Sequence, residues 1–221
     1  MDLFSRSLSA LLTTVAELPD ETFARPSGCS GWSVRDLVCH LVIDAQDVLI
    51  TLATPADAAP THDALSYWTP SATPPDGKDP FDALTVRLAA AYEDPALLRA
   101  HLEDLGPAAE RAARLAHPDL PVSTQDMTLT VRDYLGAYVL EWTLHHLDLI
   151  AAVPGAGPPP AESLARSREM LERILRVRLP EAWADADGLR IATGRLRPTP
   201  AQRTELDALG VRGQMLPLSL G

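Results

Sequence analysis

Over residues 2–18 the apolar positions Leu3, Phe4, Leu8, Leu11, Leu12, Val15 and Leu18 recur at helical spacing, and Pro19 ends the run. Pro26, Gly28 and Gly31 make residues 19–31 a loop that delivers Trp32 to the next helix. That helix opens on Ser33 and Asp36, the form of a capping box, and runs to about residue 53. Its core face is Leu37, Val38, Leu41, Ala45, Val48, Leu49 and Leu52, with His40 at the edge. Residues 54–80 are dense in Pro, Ala, Asp and Thr and predict a long connection. Its adjacent Tyr67 and Trp68 are the contacts a lid would use.

Helical character returns over 82–93 and 95–105, while residues 106–115 either extend that helix or form a separate short one. Residues 117–127 read as a loop. The spacing then predicts a long helix over 130–152, opened by Thr130 and Asp133 in the same capping form and stopped by the run PGAGPPP. A further helix spans 161–179 and is closed by Pro180. Beyond it come a short strand at 189–193, a turn at Gly194 and a short helix over 200–209. The expectation is a mainly α fold, with a main domain over 1–179 and an α/β appendage over 180–221 too small to stand alone.

The helix over 130–152 carries the chemistry. Glu141, His145 and Asp148 are separated by four and three residues, which places them on one stripe of about 100° between apolar flanks. A carboxylate and an imidazole on a protected face need partners, and a divalent cation satisfies both together. With His40 from the earlier helix, Glu141 and His145 form a three-residue ligand set that leaves a fourth position open, as in catalytic zinc. An ion there lowers the pKa of a bound water or thiol. An intrahelical Glu141 to His145 contact at a solvated edge explains the same spacing, so both readings stand on spacing alone. His146 is rotated by about 100° from His145 and is read as a non-ligand. Asp148 is read as a carboxylate partner of an imidazole or a helix-end contact, Cys39 as a small buried hydrophobe, and Trp32, Tyr134, Tyr138 and Trp142 as core.

The chain has 221 residues, 46% of them hydrophobic, and a formal net charge of -11. Such a charge repels nucleic acid and anionic membrane surfaces, which argues against both as partners. No stretch is apolar for long enough to span a bilayer, and the N-terminus lacks the basic start of a signal peptide. Cys29 and Cys39 form no CxxC pair, as expected of a reducing, cytoplasmic compartment.

The segment from Gly31 through Trp32, Ser33, Asp36 and His40 to Leu41, with the later Glu141, Trp142, His145, His146 and Asp148, resembles the mycothiol-dependent maleylpyruvate isomerase family. That family lies within the DinB-like superfamily of metal-binding four-helix bundles. The resemblance implies such a bundle over 1–179, with His40, Glu141 and His145 binding a divalent metal, zinc in the family. It implies mycothiol, a low-molecular-weight thiol of actinobacteria, as cosubstrate. The thiol sulfur adds to a small electrophile, and an isomerase then releases it whereas an S-transferase keeps the adduct. A metal-dependent hydrolase and a non-catalytic metal-binding module are the competing readings. The family's larger C-terminal domain brings an arginine to the substrate. Arg190, Arg195 and Arg197 are the candidates in the shorter tail here. The connection over 54–80 is expected either to fold across the open metal position through Tyr67 and Trp68 or to form an exposed tether.

Overall fold

The structure, a computed structural model, describes residues 2–73, 80–153 and 155–220. Residues 74–79 of the long connection, and Pro154 of the run that stops the long helix, lie outside the described residues. The helices are α1 (Leu3–Ala16), α2 (Val34–Leu52), α3 (Pro80–Ala91), α4 (Pro95–Leu115), α5 (Val131–Ala151), α6 (Ala161–Leu175), α7 (Asp185–Ala192), α8 (Pro200–Ala208) and α9 (Val211–Gln214). A short 3-10 helix (Asp20–Ala24) precedes α2, and four short strands complete the described elements: β1 (Pro70–Ser71), β2 (Pro121–Thr124), β3 (Met127–Thr130) and β4 (Ser219–Leu220). The fold is mainly α, a DinB-like bundle with a small C-terminal appendage. No helix among the described residues is long and apolar enough to cross a membrane.

Helices α1, α4, α2 and α5 pack in a ring, each against the next, around Leu8, Leu11, Leu37, Leu41, Leu98, Leu102, Tyr134 and Trp142. The caps that start two of these helices are the ones the sequence predicts. Ser33 accepts the Asp36 N–H while Asp36 accepts the Ser33 N–H, a complete capping box. Thr130 accepts the Asp133 N–H at 3.1 Å and donates its hydroxyl to the Asp133 carboxylate at 2.7 Å.

Helix α5 is the central element. One side faces the ring, and the other meets a second core of Leu140, Leu144, Leu147, Met170, Leu171, Leu189 and Leu216, built with α6, α7 and the C-terminal segment. A helix covered on both sides is apolar nearly all round, so its few polar groups stand out. Two buried contacts tie neighbours across the bundle: Ser7 Oγ lies 2.8 Å from Ser163 Oγ, and Thr14 Oγ1 lies 2.9 Å from His146 Nε2.

Three local expectations are corrected. Residues 117–127, read as a loop, include β2 and the start of β3, an antiparallel hairpin turned at Gln125 and Asp126 with φ of 47° and 61°. Two successive left-handed residues form the hairpin turn usually written with Asn-Gly, and Gln-Asp hides it. The segment 189–193, read as a strand, is the end of α7, whose first turn carries Asp185 and Asp187 where a helix N-terminus favours acids. The helix expected to reach residue 179 stops at Leu175, because Arg176 turns left-handed (φ 54°) and Val177 N–H returns to Glu172 O at 3.0 Å. Residues 106–115 continue α4 unbroken through Pro107.

The sequence offers no reason for a glycine at 106 inside α4, but packing does. A Cβ there would stand 2.5 Å from Leu12 Cδ1, so the missing side chain is what lets α1 and α4 approach. We expect Gly106→Val to destabilise the protein by about 2 kcal/mol through overpacking. Gly106→Ala should fall nearer neutral, since helix propensity improves by about 1 kcal/mol and the Leu12 methyls can give way. Urea melts of the two variants check this.

Candidate metal centre

Helices α2 and α5 set the site between them. From α2 come His40 and, one turn on, Asp44; from α5 come Glu141, His145 and Asp148. His145 Nε2 lies 2.9 Å from Glu141 Oε1, and His40 Nε2 lies 3.4 Å from the same oxygen. The two imidazole rings meet edge to face with centroids 4.8 Å apart. One ligand atom from each of His40, Asp44, Glu141 and His145 falls within 4.8 Å of all the others. The structure thus brings together the three residues singled out in the sequence and adds Asp44, which lies one turn beyond His40 on α2.

Asp44 is the telling member of this group. It is buried, and its Oδ2 has no hydrogen-bond partner among the described residues, although His40 Nε2 stands 3.3 Å away without hydrogen-bond alignment. Burial pushes the Asp44 carboxyl up to about 6, with the nearby Glu141 charge adding to the rise and His40 opposing it. For Glu141 burial also acts upward, but the charge and hydrogen bond of His145, with those of His40, outweigh it and hold the carboxyl below the usual range. Burial lowers His145, yet the Glu141 charge and the Asp148 hydrogen bond carry it well above an ordinary histidine. Once the imidazoles give up that proton, two ring nitrogens and two carboxylates are a donor set of the kind that holds a cation.

Behind the cluster, His145 Nδ1 lies 3.2 Å from Asp148 Oδ2. Asp148 in turn receives Arg195 Nε at 2.9 and 3.1 Å on its two oxygens and the Cys29 thiol at 3.1 Å. Burial raises Asp148, but the Arg195 charge leads a set of contacts that bring it down to about 2. Cys29, His145 and Asp148 also lie close enough together to hold an ion, with ligand atoms within 4.8 Å. There Arg195 already supplies the positive charge, and burial raises the Cys29 thiol, so this second group is complete without a cation.

The other candidates are placed as follows. His146 points to the opposite side, where Nε2 reaches Gly157 O at 3.1 Å and burial lowers its pKa to about 4. Cys39 is buried in the bundle core. Tyr134 and Trp142 are core residues, and Tyr134 and Tyr138 both donate to Asp47 Oδ2, at 2.8 and 2.9 Å. Trp32, read as core, is half-buried and sets its ring 5.1 Å from His40. The connection after α2 returns across α5: Thr61 N–H donates to Thr128 O, Ala64 lies over Gly136, and Tyr67 packs on Tyr134. Tyr67 feels the charges of Glu141, Asp47 and Asp44, whereas Trp68 is buried in the second core. Of the three tail arginines, Arg195 reaches the site through Asp148, and Arg197 is exposed.

Sequence reasoning missed Cys29, because a loop residue has no periodicity to reveal it. Its place is set by Gly28, whose N–H donates to Asp148 O at 2.9 Å. A Cβ on Gly28 would meet Asp148 Cα at 2.7 Å, a backbone atom that cannot swing aside. We expect Gly28→Ala to lower stability by about 1–3 kcal/mol by prising this loop from α5. Gly157→Ala, where a Cβ meets nothing within 4 Å, should be neutral or slightly stabilising. Thermal melts of the pair distinguish a close approach from a general loss of glycine.

With this geometry in place, comparison with known proteins is direct. Neither the curated proteins nor the solved structures give a match to this chain. The family described as mycothiol maleylpyruvate isomerase N-terminal domain matches residues 4–150, a span that holds His40, Asp44, Glu141, His145 and Asp148 but not Arg195. The chain belongs to the mycothiol maleylpyruvate isomerase N-terminal domain family.

Proposed function

We propose that this protein is a metal-dependent enzyme that uses a low-molecular-weight thiol, mycothiol, as nucleophile toward a small electrophile. The thiol either leaves again after isomerisation or stays attached in S-transfer. The observation that carries this reading is the convergence of His40, Asp44, Glu141 and His145 with an orphaned, buried Asp44 oxygen. Two imidazoles and two carboxylates suit a divalent ion, and nitrogen with oxygen donors suits zinc. His40, Glu141 and His145 would hold it, and the ion when bound would lower the pKa of the thiol so that its sulfur is nucleophilic at neutral pH.

The remaining work falls to this chain's own side chains. Asp44 Oδ2 faces the same group without a hydrogen bond of its own and is placed to take the proton that the thiol gives up. Asp148 holds Nδ1 of His145 and so turns Nε2 toward Glu141. Trp32 covers His40, and Tyr67 lies close enough to feel the charges of Glu141 and Asp44. Both limit the entry of water. The unpaired Asp44 oxygen would equally suit a metal-dependent hydrolase acting through water, and thiol dependence separates the two.

Metal analysis of the purified protein should find about one divalent ion per chain. His40→Ala, Glu141→Gln and His145→Ala should each weaken metal binding by at least tenfold. Asp44→Asn should keep the metal and slow thiol-dependent turnover by about 10²–10⁴-fold. Metal loss in Asp44→Asn would instead make Asp44 a ligand. Turnover of an electrophile panel at equal rates with and without mycothiol, followed by mass spectrometry, would overturn the thiol reading in favour of the hydrolase.

A further inference from the structure

We propose that Arg195, outside the family-matched span, is a positioning residue of the metal centre: it anchors the Asp148 carboxylate and through it holds His145 with Nε2 presented to Glu141 and His40. This rests on the metal reading above. It assigns a role in the site to the C-terminal segment.

The argument starts from Asp148, whose side chain is 1% exposed. An ionised carboxylate only accepts hydrogen bonds, so each group that touches it must donate. Arg195 Nε donates to both oxygens, the Cys29 thiol to Oδ2, and His145 Nδ1 stands 3.2 Å from that same oxygen. His145 Nδ1 therefore carries a proton, and Nε2, on the Glu141 side, is the nitrogen left for the ion. Arg195 contacts both oxygens, and this fixes the plane of the carboxylate. Without that anchor Asp148 can turn about its last torsion, and His145 loses the oxygen that sets its tautomer and ring orientation. Removal would also leave a buried carboxylate without its cation.

Arg195 is itself held firmly. It follows α7 through Gly194, whose φ of 79° makes the turn, and its N–H donates to Arg190 O at 2.8 Å. The last residues brace this turn, with Leu218 N–H on Ala192 O and Pro217 packed beside Gly194. Arg203 supports the same segment by donating to Leu216 O and Gly213 O at 2.9 and 2.8 Å, with no bond to Asp148. The two arginines thus separate support of the segment from support of the site.

The test is a cobalt(II) titration of metal-free full-length protein in competition with a chromophoric chelator, with thermal midpoints of the metal-free forms measured in parallel. Arg195→Met and Asp148→Asn should weaken cobalt binding by about 10–100-fold. Arg195→Lys, which keeps the charge but not the Nε–H that bridges both oxygens, should fall between them and the wild type. Arg203→Met should lower the thermal midpoint and leave cobalt affinity unchanged. In the cobalt form the exchangeable Nδ1 proton of His145 should exchange faster in Arg195→Met, a signature that loss of stability alone does not produce. If Arg195→Met fails to fold, Arg195→Lys carries the comparison. Equal cobalt affinity in wild type, Arg195→Lys and Arg195→Met, or an equal loss in the Arg195 and Arg203 variants, overturns the positioning role alone. A wild type that takes up no cobalt overturns the metal reading and this role with it.

Discussion

The structure depends on how a helix buried on every side accommodates ionisable groups. Glu141, His145, His146 and Asp148 all lie on α5, between two apolar cores. An unpaired charge there would cost several kcal/mol, so each group must find a partner on another element. His40 from α2 answers Glu141, Cys29 from the first loop meets His145, the Gly28 loop and Arg195 answer Asp148, and Thr14 with Gly157 answers His146. The packing of α1, α2, the first loop and the tail around α5 is at the same time the assembly of the site.

This coupling explains why segments outside the four-helix ring are held in place. The connection after α2 is fastened to the hairpin by Thr61 and His62 on Thr128, and further on β1 pairs with β4 at the C-terminal end. Besides its packing on α5 in the second core, the tail is tied down by the β1–β4 pair and by the Arg195 to Asp148 contact. Tyr134 and Tyr138, both donating to Asp47, keep α2 and α5 in register one to two turns from the cluster. Ligand geometry is sensitive to shifts well below an ångström, and contacts of this kind supply the required stiffness.

The helices were legible because their signals are local. Apolar spacing, Ser33 with Asp36, Thr130 with Asp133, and flanking prolines all act within one or two turns. The local misreadings have local causes too. The Gln125-Asp126 turn lacks the usual glycine, the short apolar run at 189–193 suits strand and helix alike, and α6 ends on Arg176 in a left-handed conformation usually taken by glycine.

By itself the sequence determined the mainly helical fold, the two capped helices that face each other at the site, and the shared stripe of Glu141, His145 and Asp148. Each follows from spacing along one helix and from the chemistry of its start. Only the tertiary structure decided that Asp44 joins the group, that Trp32 lies on His40 rather than in the core, and that Cys29 and Arg195 meet at Asp148. These partners come from a loop, a neighbouring helix and a segment 47 residues downstream. Contacts between such distant positions have no period in the chain; they exist because burying α5 leaves each of its charges in need of a partner that only folding can bring.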